Sequence, residues 1–180
     1  MTEMRVRKRH RLRQKEIASI SGEINSVLGA TSFDENDVVD MAEAPDFDLV
    51  YVNGKVLAFV VKGRPFLTVR GLLAYRATKR YVSVDMGAIR FVYNGADVMG
   101  PGIVEADQSF SEGDLVWVRD VKNQQPLAVG RAVVGPAVMA SKVKGVAVKS
   151  IHHVGDKLWL LDEPKKDEHE AERPDAPITM

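Results

Sequence analysis

The sequence contains no cysteine, which removes disulfides and thiolate metal sites and points to a reducing compartment. Histidine is scarce. Of the 4 present only His152 and His153 adjoin, and neighbours in a strand point to opposite faces, so no metal site is expected. Long apolar runs are missing, and the basic N-terminus is not followed by the roughly 7–15 apolar residues of a signal peptide. No membrane span is expected, and the cytoplasm is the expected location. Catalytic signatures are missing as well: there is no Gly-x-Ser-x-Gly nucleophile elbow, no Gly-x-x-x-x-Gly-Lys phosphate cradle and no dinucleotide fingerprint. The glycine-rich run from Gly95 to Gly102 lacks the lysine and the following helix of a phosphate loop. Met99 and Trp159 read as core residues rather than cofactor contacts. Neither a cofactor nor catalysis by this chain alone is expected.

What is present is a chain of 180 residues, 45% hydrophobic, enough for one ordinary domain or two small ones. Twenty-five basic residues balance twenty-five acidic ones, but unevenly. The stretch RVRKRHRLRQK, Arg5 to Lys15, carries seven cations and no acid, whereas from Asp162 onward acids outnumber bases seven to three. Such asymmetry fits a nucleic-acid-facing end, with Arg7, Lys8, Arg9, Arg11 and Arg13 on phosphates; it equally fits a solvated basic arm answered by an acidic tail.

Ile17, Ile20, Ile24, Val27 and Leu28 recur at helical spacing and predict an amphipathic helix over about 13–28. Two apolar runs, 48–52 and 55–61, flank Asn53-Gly54, the signature of a type I′ hairpin, and should lie mid-sheet. A second helix near 68–76 would be capped by Thr68, with Val69, Leu72 and Leu73 inward. The pattern breaks at 79–83. Runs at 114–119, 126–134, 145–153 and 157–161 then read as short strands of a small barrel or sandwich, with Gly130 marking a bulge or corner. Residues 162–180 should form a disordered tail. No internal repeat is evident.

Between these regions lies VDMGAIRFVYNGADVMGPGI, residues 84–103. Asp85 should cap a helix over 86–93 that ends at Asn94-Gly95. At 100° per residue Ala88, Ile89 and Val92 face inward, leaving Met86, Gly87, Arg90, Tyr93 and Asn94 outside. A short strand over 96–99 and a type II turn over 100–103 should follow.

The order GAIRFVYNGADVMGPGI, FSEGDLVWV, PLAVGRA and GVAVKSIHHVGDKLW resembles the PUA domain, a small pseudo-barrel of RNA-modifying enzymes and RNA-binding proteins, over residues 78–161. The motifs KRHRLRQKEI and VDMGAIRFV, with the basic domain placed ahead, resemble the malignant-T-cell-amplified-sequence family in its archaeal type. The resemblance implies an α+β protein: a pre-PUA α/β domain over 1–77 with the basic segment, a PUA pseudo-barrel over 78–161, and an acidic tail over 162–180. It implies RNA binding, to tRNA or rRNA, in a groove formed by Arg90, Tyr93, Asn94, Gly95, Ala96, Met99, Gly100, Pro101, Lys149 and His152. Small residues let a sugar-phosphate chain reach backbone N–H groups, arginine contacts phosphate and aromatic faces stack on bases. The same glycines also serve turns, and both roles stay open. The implied role is in translation, at the small ribosomal subunit or the tRNA acceptor end, with the subunit or a translation factor as partner. The alternatives are an accessory tRNA-binding subunit of an RNA-modifying enzyme such as a tRNA-guanine transglycosylase, and a protein-interaction adaptor. The residues ahead of the PUA resemblance are too few for such an enzyme's catalytic domain, so a partner chain would have to carry it.

Overall fold

Ile17, Ser21, Ile24 and Leu28, spaced four, three and four residues apart, are the buried positions of helix α1 (Gln14–Leu28), which follows strand β1 (Arg7–Arg11). The structure, a computed structural model, describes residues 3–163. Strands β2 (Val39–Glu43), β3 (Asp48–Val52), β4 (Lys55–Val61) and β5 (Arg64–Leu67) complete an antiparallel sheet in the order β1-β2-β3-β4-β5. Asn53 and Gly54, at φ 51° and 91°, form the expected hairpin turn. Leu49, Val50, Tyr51 and Val52 are all buried, as a mid-sheet strand covered on both faces requires.

Helix α2 (Val69–Ala74) starts where Thr68 accepts from Gly71 N–H at 3.1 Å and donates its hydroxyl to Val56 O at 2.9 Å. Val69 and Leu72 face inward, but Leu73 is 44% exposed, contrary to the sequence reading, because one further residue turns its side chain off the inner stripe. The basic segment is also not an arm. Leu12, buried, and Val6, partly buried, anchor it at both ends, and β1 pairs with β2 as the sheet's edge strand with all five residues exposed.

The second sheet holds β6 (Tyr81–Val84), β7 (Val98–Met99), β8 (Ile103–Ala106), β9 (Leu115–Asp120), β10 (Pro126–Ala132) and β11 (Val146–His153). Their order is β7-β11-β10-β9-β6-β8, a strongly curved, nearly closed pseudo-barrel, and the fold is α+β as expected. Between β6 and β7 lie a 3₁₀ turn (Met86–Ala88) and helix α3 (Ile89–Tyr93); helix α4 (Pro136–Ala140) precedes β11, and helix α5 (Lys157–Leu160) follows it.

Three local expectations change. The apparent break at 79–83 leads directly into β6, which pairs in parallel with β9 and antiparallel with β8. Residues 157–161 are not a strand: Asp156 accepts from Trp159 N–H at 2.9 Å and caps α5. Gly100-Pro101-Gly102 forms a 3₁₀ turn, and Gly102 lacks the positive φ that a type II turn needs at that position. At Gly130 the β10–β11 register does shift, as the glycine suggested.

The two sheets meet through one apolar core in which Leu115, Trp117, Val129 and Leu158 join α1 and β2–β5. A second core, containing Val84, Val92, Val118 and Met139, fills the pseudo-barrel. Polar groups at the junction are paired. Trp117 Nε1 donates to Lys79 O at 2.8 Å, and Val56 N–H donates to Asp162 at 2.9 Å. The Arg70 guanidinium stacks 3.7 Å from the Trp159 ring and donates to Glu163 at 3.2 Å. Asp162 and Glu163 are therefore part of this junction, and the rest of the tail expected over 162–180 lies outside the described residues.

Candidate nucleic-acid interface

Asp85 accepts from Ala88 N–H at 3.0 Å and starts the turn that feeds α3. Val92 is buried, with Ala88 and Ile89 partly buried against the same core, so the expected inner stripe is present. The outer side presents Met86, Arg90, Phe91, Tyr93 and Asn94, all exposed. Phe91, at 52% exposure, is a residue that periodicity alone left unassigned. Gly95, at φ 85°, ends the helix; a Cβ there would both strain the backbone and lie 2.9 Å from His153 Nε2.

Beside α3 runs a groove of about 610 Å³. Phe91, Met99 and Val146 wall it, Val92 and Val98 floor it, and Ala96 and Gly87 leave its backbone open. Its two carboxylates are occupied: Asp85 by the Ala88 N–H, and Asp97 by the Ser150 N–H at 2.8 Å. The lining is thus apolar and open, suited to flat faces such as bases.

The predicted site residues divide around this groove. Ala96 and Met99 line it. Arg90, Tyr93 and Asn94 are exposed on the neighbouring helix and Pro101 on the following turn, while Gly95 shapes the bend. Two assignments need correction. Gly100 is buried, its Cα packed where a Cβ would lie 1.8 Å from Val143 O, so it serves backbone packing and presents no surface. His152 is 1% exposed and belongs to the junction: Nδ1 donates to Asp156 at 2.9 Å, Nε2 accepts from Val69 N–H at 3.1 Å, and the ring meets Phe59 edge-on. The alternation of strand side chains gives the reason, because His153 takes the other face and reaches Gly95. Lys149 is exposed but does not line the groove; it stands opposite Arg131 across the β10–β11 ladder.

The basic strand is partly neutralised. Arg9 Nε lies 2.9 Å from Asp40, Arg11 binds the same carboxylate, and Lys8 lies 4.0 Å from Glu43. Although burial pulls the Asp40 carboxyl upward, hydrogen bonds from Arg11 and Arg9 hold it below the usual carboxylate range. Arg9 also stacks 3.8 Å from the Tyr51 ring. None of the ion pairs among the described residues involves Arg7 or Arg13. Among those residues no group of three or more candidate metal ligands gathers, and no helix is long and apolar enough to cross a membrane.

Comparison with known proteins places this geometry. The PUA domain family model matches residues 80–154, the segment from β6 to the end of β11. The chain is 37% identical over 158 residues to the archaeal protein MJ1432 of Methanocaldococcus jannaschii, covering 87% of this chain and 98% of that one. It is 31% identical to Translation machinery-associated protein 20 of Saccharomyces cerevisiae over 62% of this chain, and 31% identical to Malignant T-cell-amplified sequence 2 of Mus musculus over 63%. The match spans 65% of each of these two eukaryotic relatives. Among solved structures, the hypothetical protein PH0734.1 of Pyrococcus horikoshii superposes with a TM-score of 0.75 at 34% identity, covering 86% of this chain and 99% of that one. With the groove, the pseudo-barrel and these matches together, the chain belongs to the PUA-domain proteins, in the group of MJ1432 and homologous to the malignant-T-cell-amplified-sequence and TMA20 proteins.

Proposed function

We propose that this protein binds RNA without catalysing a reaction, and that it acts in translation, at the small ribosomal subunit or the tRNA acceptor end, in the cytoplasm. In this reading residues 1–77 form a pre-PUA domain and 78–161 the RNA-reading PUA domain. The observation that carries it is the open apolar groove with two exposed walls, Phe91 and Met99, beside Arg90, inside the segment matched by the PUA family. Aromatic and thioether faces stack on unpaired bases without demanding one sequence, and an arginine at the rim supplies a phosphate contact. The yeast relative, named for its association with the translation machinery, supports a translational role. Stacking on aromatic side chains contributes roughly 1–3 kcal/mol per base.

The test is a binding series with an unmodified tRNA transcript and its acceptor-end fragment. Phe91→Ala should weaken binding about five- to 150-fold, in line with that stacking contribution, at unchanged melting temperature. A variant that keeps full affinity would remove the groove from the interface, and wild-type protein that binds neither RNA would remove the function.

A further inference from the structure

A second surface carries charge that folding does not use. Between the two sheets lies a cleft of about 290 Å³ whose floor is Phe66 and Leu115. Four cations line it, Lys62 and Arg64 from the β4–β5 hairpin, Arg131 from β10 and Arg80, against two carboxylates, Glu23 and Asp114. Arg80 and Asp114 answer each other at 3.5 Å, and Arg80 also donates to Leu115 O. Among the described residues Lys62, Arg64 and Arg131 enter no ion pair. Lys62 and Gly63, at φ 50° and 80°, form a tight turn that holds the hairpin tip in place.

The strand register extends this row. Arg131 pairs with Leu115 on one side and with Lys149 on the other, and directly paired residues project from the same face. Two cations set opposite each other on adjacent strands, with no carboxylate between them, oppose folding. An anion laid across both would reverse the sign of that term. Three residues further back on β11, about 10 Å along the strand, Val146 walls the apolar groove, so a single strand connects the groove to the cationic row.

We propose that the interdomain cleft and the row Lys62, Arg64, Arg131 and Lys149 form a second, phosphate-binding track that holds the RNA backbone while the groove beside α3 takes bases. The inference rests on the RNA-binding reading above and deepens it. Planar guanidinium groups of Arg64 and Arg131 suit the paired oxygens of a phosphodiester, and the apolar floor excludes water beneath them. Contacts of this kind position an RNA without selecting its sequence.

The experiment measures affinity of the full chain for an unmodified tRNA transcript against salt concentration. Three variants are compared: the triple substitution Lys62→Gln, Arg64→Gln and Arg131→Gln; the groove substitution Phe91→Ala; and a control, Lys122→Gln, Lys142→Gln and Lys157→Gln, that removes the same charge elsewhere. Neutralising three phosphate contacts should flatten the log–log salt plot by roughly two units, and adding Lys149→Gln should take about 0.7 more. The control and the groove variant should leave the slope near that of wild type. If wild type binds the RNA and the triple variant keeps its slope, or loses no more than the control, the cleft is not a phosphate track while the groove reading stands. If wild type binds no RNA, both fall. Competition by polyglutamate as effective as competition by RNA would assign the row to acidic protein and overturn the proposal.

Discussion

The junction of the two sheets and the surface beside α3 use the same residue types to opposite ends. Arg70, at the junction, has its guanidinium stacked 3.7 Å from Trp159, donating to Trp159 O at 3.1 Å and to Glu163. Arg90 has only the ring of Phe91, 4.9 Å away, and no carboxylate among the described residues. Trp117 is 4% exposed with its indole N–H bonded, whereas Phe91 is 52% exposed. His152 spends both ring nitrogens on the junction, while its neighbour His153 faces the bend at Gly95. Residue type alone therefore does not mark a binding surface. What marks it is a costly or sticky side chain left without a partner by the fold.

The sharpest way to break that comparison is at its most completely partnered residue. His152→Ala leaves the Val69 N–H without its acceptor and opens a cavity beside Phe59, and should cost about 3 kcal/mol in denaturant unfolding. A loss below about 1 kcal/mol would mean that the junction does not depend on this residue. On the other side of the comparison, Gly100→Ala tests whether a glycine expected in the RNA-binding groove is structural. Its Cβ would be driven into Val143 O, so about 1–3 kcal/mol of stability should be lost; a stable variant with weakened RNA binding would return Gly100 to the interface.

Paired arginine substitutions come next in size. Arg70→Ala should destabilise by about 1–2 kcal/mol, because it removes a stack and hydrogen bonds at a half-buried site. Arg90→Ala should change stability by less than about 0.5 kcal/mol yet lower RNA affinity. Equal thermal shifts for the two would mean that the junction and the α3 surface do not differ in how their arginines are partnered.

The smallest effect is one of pH. Burial pulls the Asp156 carboxyl upward, but the hydrogen bond from His152 and the N–H groups of Trp159 and His153 hold it below its ordinary value. A carboxyl held low in the folded state contributes stability that is present above the ordinary carboxylate value, about 3.9, and is lost as pH falls through the lower folded value. Melting temperature should therefore drop on acidification below about pH 4, and Asp156→Asn should make that drop less steep. Parallel acid limbs for the two proteins would show that Asp156 is not linked to folding.

Much of the fold was readable because its signals are local. The spacing of Ile17, Ile24 and Leu28 specifies α1, Asn53-Gly54 specifies the β3–β4 turn, and Thr68 and Asp85 announce helix starts through oxygens that accept N–H groups three residues on. Where a strand's partner is distant, the signal weakens. β6 is short, and what makes it a strand is parallel pairing with β9, 36 residues later at Tyr81 and Trp117. Helix α5 carries an apolar run that suits a strand equally well, and the hydrogen bond to Asp156 decides the matter.

The site divides along the same line. Sequence alone determined that the 86–93 segment would turn Ala88, Ile89 and Val92 inward, that Arg90 and Tyr93 would be exposed, and that Gly95 would end the helix, since helical period and left-handed φ are properties of a few successive residues. It also determined that His152 and His153 would part. Only the tertiary structure decided which of them would be buried, that Asp40 would take up Arg9 and Arg11, and that Arg131 would face Lys149 across a ladder and Lys62 across a cleft. Periodicity sorts side chains onto faces. Which charge or apolar surface then covers a face depends on chain segments tens of residues away, and that pairing decides whether a cation is neutralised or left to bind.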